Sequence, residues 1–412
     1  MSTLGGLGMK ARLVGLVAAW LFAVAVPGVA HAATRLVNNS GTCVDVTPCT
    51  VVPCCTIQFA IGVSINNDVI NVAAGTYGEN VTLNKNVFLR GAQFNIPACD
   101  RVDTETIIAP TSGVGLTLVT GSASATIDGF TFSGGTRGIG AVDSLSRLKI
   151  QNNRFVGFTD SGAFFAAGAP AMDFFANSID GSSASGVTGL FHLDGNNDYD
   201  ALEFRDSCVF NGTGTCGFFV DGDHNVGNSV DGGNPAIEDS RFENNSIGAC
   251  FGSQSVDQMS IARNTFSDNA IDGLQGGMQN SSIDGNTMSG NGRYGLLLTS
   301  FGNSNPATGA QDNDITNNCI SGNGLADSGA GIFYSDAQAA GTIATNVASG
   351  NNIYGNFAGA VYDGGETIDA QGNWWGCATG ANTATCDTAS ATIDTSSFLT
   401  DPSVDAPCDP LA

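Results

Sequence analysis

Residues 264–274 read NTFSDNAIDGL and residues 286–296 read NTMSGNGRYGL, so one pattern occurs twice in close succession. Each stretch begins with an Asn-Thr pair and an apolar residue, and each ends with a Gly-Leu pair. The opening unit, Asn or Ser followed two positions later by an apolar side chain, recurs at Asn153-Arg154-Phe155, Asn177-Ser178-Ile179, Ser207-Cys208-Val209, Ser240-Arg241-Phe242, Asn318-Cys319-Ile320 and Asn351-Asn352-Ile353. The interval between successive units is not constant, which indicates a basic repeat that insertions lengthen in places.

A second element follows each opening unit and consists of a small residue and then an apolar one. Its examples are Gly189-Leu190, Gly217-Phe218, Ala249-Cys250, Gly273-Leu274, Gly295-Leu296 and Gly331-Ile332. Each repeat therefore contains short alternating strands separated by Gly, Asn, Ser and Asp turns. A sequence of this kind can bury its apolar residues if each repeat forms one coil. The strands of successive coils then pair in parallel about 4.8 Å apart. The pattern predicts an all-β fold, a single parallel β-solenoid.

The coil prediction assigns particular side chains to internal columns. One predicted column contains Phe242, Phe266, Met288 and Ile320, and a second contains Cys250, Leu274, Leu296 and Ile332. Recurrent Asn at the turns is expected to form side-chain amide ladders along the stack. After the N-terminal segment, only Thr56 to Ser64 has a pattern compatible with a helix.

The composition excludes some classes of partner. Among 412 residues there are 38 acids and 14 bases, giving a formal charge of −24. Nucleic-acid binding depends on clustered Lys and Arg, so no nucleic-acid partner is expected. The 24 Phe and the 42% hydrophobic content supply core material and argue against disorder.

The N-terminal segment, residues 1–32, has the features of a signal peptide. Lys10 and Arg12 precede an apolar run from Leu13 to Val26, and Ala30-His31-Ala32 provides the small-x-small cleavage pattern before Ala33. Removal of residues 1–32 takes away two bases and no acid, so the mature charge becomes −26. We expect a secreted protein, or one of the periplasm or cell envelope, without a membrane span in the mature chain.

All twelve cysteines lie after this segment, as expected for disulfides in an oxidising compartment. Adjacent Cys54-Cys55 and the lack of paired C-x-x-C half-sites argue against zinc. The local disulfide candidates are Cys208 with Cys216 and Cys377 with Cys386, and an N-terminal cluster of Cys43, Cys49, Cys54 and Cys55 is expected to form one or two bridges at the end cap.

The two flanks of the repeats carry a resemblance to a known family. The stretches are TIQFAI at 56–61, DVINVAAGTY at 68–77, ENVTLNKNVFLRGA at 79–92 and GNWWGC at 372–377. They resemble the N-terminal cap, first coil and closing segment of secreted bacterial right-handed parallel β-helix repeat proteins of the pectin-lyase-like superfamily. The resemblance implies a Cys-rich N-terminal segment at 33–55, a right-handed parallel β-helix at 56–376 and a C-terminal cap and tail at 377–412.

The superfamily includes polysaccharide lyases, hydrolases and epimerases, alongside members without catalysis, so the fold does not decide the function. A hydrolase of this type has Gly-His-Gly before Arg-x-Lys, but no such motif precedes Arg147-Leu148-Lys149. A lyase of this type has an arginine base facing calcium-binding acids, and no family motif surrounds Arg205 or Arg241. No catalytic residue is assigned.

One constellation resembles a metal site. Residues 194–200 read DGNNDYD, and residues 221–225 read DGDHN, which repeats the opening of the first stretch at a spacing suited to one coil. Alternating oxygen ligands are typical of calcium loops, so the candidate calcium ligands are Asp194, Asn196, Asp198, Asp221 and Asp223, with His224 and Tyr199 as flanking residues that could touch a bridged sugar carboxylate. The alternative is that these residues form solvated Asn/Asp turns.

Three functions remain open at this stage. The first is an exported, non-catalytic monomer that presents an elongated acidic face to an extracellular or envelope glycan or other ligand. The second is a calcium-dependent carbohydrate-active enzyme (polysaccharide lyase, hydrolase or epimerase) that acts on an extracellular polysaccharide. The third is an adhesin, disfavoured because residues 405–412 contain no anchoring signal. A scarcity of exposed aromatic residues is expected, which would weigh against sugar binding by stacking.

Overall fold

The computed structural model describes residues 32–141, 145–166, 171–194, 201–220, 235–299, 310–326, 328–336 and 343–408. Within these residues the strands form three sheets, which we call sheets A, B and C, and neighbouring strands in each sheet are parallel. The chain visits A, B and C in turn on most coils. The prediction of a single right-handed parallel β-helix is confirmed.

The strand bounds show how short each coil segment is. Sheet A contains Thr34–Val37, Val69–Val72, Phe88–Arg90, Thr126–Asp128, Ser146–Gln151, Ala171–Phe175, Ala201–Arg205, Ala236–Glu238, Ser260–Ala262, Ser282–Asp284, Asp314–Thr316, Val347–Ser349, Ile368–Asp369 and Ile393–Asp394. Sheet B contains Gly75–Tyr77, Thr106–Ile108, Phe130–Ser133, Arg154–Val156, Ser178–Asp180, Cys208–Phe210, Arg241–Glu243, Thr265–Ser267, Thr287–Ser289, Cys319–Ser321 and Asn352–Tyr354. Sheet C contains Val81–Leu83, Val114–Leu118, Arg137–Ala141, Ser161–Phe165, Gly189–Leu193, Cys216–Val220, Ile247–Asp257, Asp272–Gln279, Tyr294–Thr299, Ala330–Ser335 and Ala360–Tyr362. Sheet A thus includes strands on both sides of residues 56–376.

The first predicted column is confirmed by the strand register. Phe242 pairs with Phe266, Phe266 with Met288, and Met288 with Ile320, and all four side chains are buried. The rings of Phe242 and Phe266 stack with their centroids 5.0 Å apart. Stacking of equivalent apolar residues therefore forms the core, as the repeat predicted.

The second predicted column is wrong at one position. Ala249, and not Cys250, pairs with Leu274, while Cys250 pairs with Gln275 on the outer face of sheet C. The equivalent of Gly273-Leu274 is Gly248-Ala249, and a Cβ at Gly248 would clash with the Gly273 carbonyl oxygen. At Gly295, similarly, a Cβ would lie 2.8 Å from the carbonyl oxygen of the residue one coil away. The pair Gly189-Leu190 is likewise one residue out of phase, because Phe191, and not Leu190, pairs with the inward Phe218. A shift of one residue moves a side chain from one face of a strand to the other.

Buried Asn side chains connect the coils at the corners. The Oδ1 of Asn286 accepts hydrogen bonds from the backbone and side-chain nitrogens of Asn264, at 2.9 and 3.1 Å. The same contacts link Asn286 to Asn318 and Asn318 to Asn351. The residue before this ladder has positive φ on several coils, at Asn152, Ala176, Asp206, Asp239, Arg263 and Asn317. Gly, Asn and Asp tolerate this left-handed conformation better than most residues, which helps to explain their recurrence at the turns.

A short helix, Ile57–Val63, covers the N-terminal end of the stack, within the segment where the sequence allowed one. Thr56 caps it, because the Thr56 Oγ1 accepts a hydrogen bond from the Phe59 amide at 3.2 Å. The carboxylate of Glu79 accepts from the amides of Ile57 and Gln58, at 2.8 and 3.0 Å. The unpaired donors of the first helical turn are thus satisfied from the next coil.

Six disulfides use all twelve cysteines, and four of them lie at or near the two ends of the chain. Cys43 pairs with Cys55, Cys49 with Cys54, Cys377 with Cys386 and Cys319 with Cys408. The suggested pairing of Cys377 with Cys386 is the one that the structure contains. The N-terminal pairs hold the segment that precedes the helix.

The suggested bond between Cys208 and Cys216 is wrong. Cys208 begins a strand of sheet B and Cys216 begins a strand of sheet C, so they lie on different sides of the coil. Cys216 instead pairs with Cys250 on the next coil, and Cys208 pairs with the distant Cys99. Cys99 lies in residues 91–105, a segment that runs past several coils at the start of the sheet B strands. Its neighbour Ala98 also contacts a later coil there, through the hydrogen bond from the Ala98 amide to the Ala176 carbonyl at 2.9 Å.

Candidate functional site

The outer face of sheet C carries a row of mostly apolar and aromatic side chains, one from each of its last eight strands, which we call the outer row. Its members, in register order, are Phe164, His192, Phe219, Cys250, Gln275, Leu297, Phe333 and Val361. Each occupies the position next to an inward core residue, so the alternation of a β-strand points it away from the core. Phe219, Gln275, Leu297, Phe333 and Val361 are partly exposed.

The N-terminal part of the outer row is an aromatic cluster. The His192 ring lies edge-on to Phe164 and Phe219, with centroid distances of 4.9 and 5.0 Å. The Arg137 guanidinium lies 3.5 Å from the Phe164 ring centroid and forms an ion pair of 2.6 Å with Asp160. The cluster combines edge-to-face ring contacts with a cation held over the Phe164 ring.

A second polar group lies beside the C-terminal part of the row. Arg293 donates two hydrogen bonds to the buried carboxylate of Asp272, and the Tyr294 amide donates to the same carboxylate at 3.1 Å. Tyr294 stacks on Phe333, with ring centroids 4.7 Å apart. Burial raises the pKa of Tyr294, so its hydroxyl stays protonated at neutral pH and can donate a hydrogen bond. The hydrogen bonds to Asp272 raise the pKa of Arg293, which therefore keeps its charge.

The outer faces of the other two sheets are more polar. On sheet A, Arg205 lies 3.1 Å from Glu203 and 3.6 Å from Asp173. Arg263, at the following corner, pairs with Glu238 and Asp239. On sheet B the outward residues include Arg241, Thr265, Ser267, Thr287 and Ser289. A largely apolar outer row is therefore a feature of sheet C rather than of sheet A or sheet B.

The predicted calcium residues fall mostly outside the described part of the chain. Asp194 is described: it follows the strand Gly189–Leu193, is half-buried, and donates its amide hydrogen to the Phe165 carbonyl at 2.8 Å. Leu193 pairs with Val220, so the residues that precede the two acidic stretches are equivalent on neighbouring coils. The other residues of this prediction, Asn196, Asp198, Tyr199, Asp221, Asp223 and His224, lie outside the described residues. Within the residues that the structure does describe, no group of three or more His, Cys, Asp or Glu is arranged to hold a metal ion.

The sequence analysis did not identify the outer row, whose aromatic members are buried or only partly exposed. A signal for the row was present. Gly217-Phe218, Gly295-Leu296 and Gly331-Ile332 each end on an inward residue, so the next residue must point outward, which selects Phe219, Leu297 and Phe333. The misassigned Cys250 obscured that signal, because it placed an outward residue in the core.

A comparison with family models agrees with this architecture. The family model described as "Right handed beta helix region" matches residues 191–374. In solved structures, the chain is similar to the Azotobacter vinelandii mannuronan C-5 epimerase AlgE6 A-module, with 13% identity, a TM-score of 0.44 and coverage of 84% of this chain and 96% of that one. It is also similar to the AlgE4 A-module from the same organism, with 14% identity, a TM-score of 0.31 and coverage of 83% and 92%. A comparison with curated proteins finds no match. In the described part of the chain, no helix is both long and apolar enough to cross a membrane.

Proposed function

We propose that this chain, a parallel β-helix repeat protein, is exported and binds an extended extracellular polysaccharide along the outer row of sheet C, without catalysing a reaction on it. The observation that carries the proposal is the row itself. Leu297 and Phe333 lie on neighbouring strands, and Phe219 lies three strands before Leu297, so the three side chains are spaced by multiples of about 4.8 Å, the spacing of neighbouring strands. A polymer of sugars has apolar C–H faces that pack on such side chains, and its length suits a surface that repeats along one axis.

The flanking groups would add polar contacts. Gln275 lies within the row and has an amide that can both donate to and accept from a hydroxyl. Tyr294 can donate from its phenol. Arg137 lies beside the N-terminal part of the row and Arg293 beside its C-terminal part, each already held by an acid. An elongated acidic face was the sequence-based hypothesis for the binding surface. We place binding on sheet C instead, because the acids of sheet A named above are engaged by Arg205 and Arg263.

The charge of the protein sets an expectation for the ligand. With −26 on the mature chain, a polyuronate would be repelled at low ionic strength unless a divalent cation bridged the two. A neutral polysaccharide carries no such penalty. We therefore expect a soluble neutral glucan to bind with or without calcium, and polygalacturonate or alginate to bind only when calcium is present.

The test is isothermal titration of the mature protein with these polymers, and of variants with one ring removed. Phe219→Ala and Phe333→Ala should each weaken binding by about 1 kcal/mol, or about fivefold, the scale of one aromatic contact. Phe175→Ala is the matched control: Phe175 is also partly exposed and points outward, but from sheet A. It should bind as the wild type does.

The same samples distinguish binding from catalysis. After overnight incubation with each polymer, with and without calcium, we expect no new reducing ends, no unsaturated sugar products and no change in uronate stereochemistry. Product formation would replace the proposal with the enzymatic alternative. Failure of all the polymers to bind, or an equal loss in Phe175→Ala, would remove sheet C as the binding face.

A further inference from the structure

We propose that removal of residues 1–32 creates an ion pair, in which the new N-terminal ammonium of Ala33 binds the buried carboxylate of Asp68. The step is a peptide hydrolysis by a leader peptidase. Water adds to the Ala32 carbonyl carbon, the bond from that carbon to the Ala33 nitrogen breaks, Ala32 leaves as a carboxylate, and the Ala33 amine takes up the protons. A hydrogen bond from a neutral amide to the carboxylate thereby becomes an ion pair between an ammonium and the carboxylate.

The geometry for this ion pair is already present. The Ala33 nitrogen lies 2.6 Å from Asp68 Oδ1 and donates a hydrogen bond to it. The Ala33 carbonyl accepts from the Val69 amide at 2.9 Å, and the strand Thr34–Val37 begins at the next residue. Ala32 is exposed, whereas Ala33 is half-buried. The folded chain is therefore joined to sheet A from Ala33 onward, which is the residue after the predicted cleavage site.

The two oxygens of Asp68 have separate partners. Oδ2 accepts from Arg35 Nε and Nη2, at 3.0 and 2.8 Å, and from the Ile65 amide at 3.1 Å. Arg35 also donates to the Pro48 carbonyl at 2.6 Å. Ala33 alone holds Oδ1 among these contacts, so an ammonium there would meet the carboxylate on the side away from the guanidinium. The carboxylate already accepts a charge-assisted hydrogen bond at this oxygen, and an ammonium donor would add the attraction between two opposite charges.

The charges around the pair determine its pH dependence. Burial raises the pKa of Asp68, but the donors from Ala33, Ile65 and Arg35 outweigh burial, and the net pKa is lowered. The carboxylate is thus charged near neutral pH. The other cations in the region are Arg35 and Lys85, whose ammonium is held by three carbonyls at the end of the helix. The carboxylate is the nearest charge to the Ala33 nitrogen, so we expect the amine pKa to rise above its ordinary value of about 8.

A raised amine pKa gives a stabilisation with a defined sign. The contribution is complete below the unfolded pKa of about 8 and is lost as the pH rises through the raised folded pKa. A chain that retains one extra residue has an amide at Ala33 and lacks this contribution at every pH. The difference in melting temperature between the two chains should therefore be present at pH 6 and absent once the pH exceeds the folded pKa.

The experiment compares three forms of the protein, each exported so that all disulfides form. They are the processed wild type, a chain that retains Ala32 at its N-terminus, and Asp68→Asn. Intact mass should place the processed N-terminus at Ala33. At pH 8, an amine-reactive ester should label the Ala33 amine of the wild type about tenfold more slowly than the N-terminal amine of the extended chain, with Lys85 and Lys149 separated by peptide mapping. In Asp68→Asn the slow labelling should be lost.

If Asp68→Asn does not fold, the comparison of the wild type with the extended chain still tests the proposal. The extended chain differs from the wild type only in retaining Ala32, and all of its other side chains are unchanged. A processed N-terminus at any residue other than Ala33 would overturn the proposal. Equal labelling rates of the wild type and the extended chain, or melting temperatures with the same pH dependence, would also overturn it.

Discussion

Replacement of Asn286 by Ala tests whether the buried Asn ladder stabilises the stack of coils. Asn286 is fully buried and its side chain takes part in four hydrogen bonds. Oδ1 accepts from the backbone and side-chain nitrogens of Asn264, and Nδ2 donates to the Ile261 carbonyl at 2.8 Å and to Asn318 Oδ1 at 3.0 Å. One side chain thus joins three successive coils.

The magnitude follows from the groups that lose a partner. In Asn286→Ala the backbone N–H of Asn264 is left buried without its acceptor, which costs about 1–3 kcal/mol. Loss of the hydrogen bond to Ile261 removes about 0.5–1.5 kcal/mol more. We expect the free energy of unfolding to fall by about 2–4 kcal/mol, large for a single substitution.

The chain itself suggests a graded variant. At two coils the ladder position is Ser: the Asn177 amide donates to Ser207 Oγ, and the Ser207 amide donates to Ser240 Oγ, both at 3.1 Å. A Ser therefore accepts from the backbone N–H of the preceding coil, as Asn does, but it cannot make the further amide contacts. Asn286→Ser should lose only about 1 kcal/mol.

The assay is equilibrium unfolding in guanidinium chloride with the disulfides intact, followed by the fluorescence of Trp374 and Trp375. The control is Thr287→Ala, the next residue, whose side chain is on the outer face and whose loss should change stability by about 0.5 kcal/mol or less. The expected order of stability is wild type and Thr287→Ala, then Asn286→Ser, then Asn286→Ala. If Asn286→Ala were as stable as Thr287→Ala, the ladder would contribute no net stability and the reasoning would be refuted.

Three further predictions test the core, the metal hypothesis and the N-terminal ion pair. Phe266→Asp should unfold the protein or greatly lower its melting temperature, because it buries a charge, while Thr265→Asp should be nearly silent; the reverse order would mean that the register is wrong by one residue. If Asp194 and its predicted partners bind calcium, a hundredfold excess over the dissociation constant should raise stability by about 2.7 kcal/mol, and identical melts in calcium and in chelator would remove the site. Since the pKa of Asp68 is lowered by its donors, its contribution to stability should be complete above about pH 4 and should disappear as the pH falls through the lowered pKa. Acid titrations of the melting temperature should show a shallower loss in Asp68→Asn, and an unchanged slope would contradict the assignment.

Much of the architecture could be predicted because the same short pattern of residues recurs along the sequence. An inward residue on each strand and an Asn or Ser at one corner recur from coil to coil, and stacking requires like residues to meet. The column from Phe242 to Ile320 and the Asn ladder follow from that requirement alone. The short helix after Thr56 does not repeat, but it lies in the segment whose sequence was compatible with a helix, and Thr56 is its N-cap residue.

The outer row was harder to predict because it requires knowing which residues of a short sheet C strand point inward and which point outward. Both Gly248-Ala249 and Ala249-Cys250 fit the pattern of a small residue followed by a second residue. Only the strand register shows that Ala249, and not Cys250, points inward. A slip of one residue exchanges the two faces, so the error in one column concealed the surface on which the proposed function rests. Close backbone packing, which excludes a Cβ at the preceding residue, settles the phase.

By itself, then, the sequence determined the fold class, the repeat and most of the core, since each of these depends on contacts between equivalent positions of neighbouring coils. The tertiary structure decided the pairing of Cys99 with Cys208 and of Cys216 with Cys250, and it brought Ala33 to Asp68. These contacts join segments that do not repeat, or different sides of one coil, and no periodicity indicates their path. The Cys99–Cys208 disulfide joins residues 109 positions apart, because the segment 91–105 runs past several coils. Separation along the chain therefore did not indicate which cysteines are close in space.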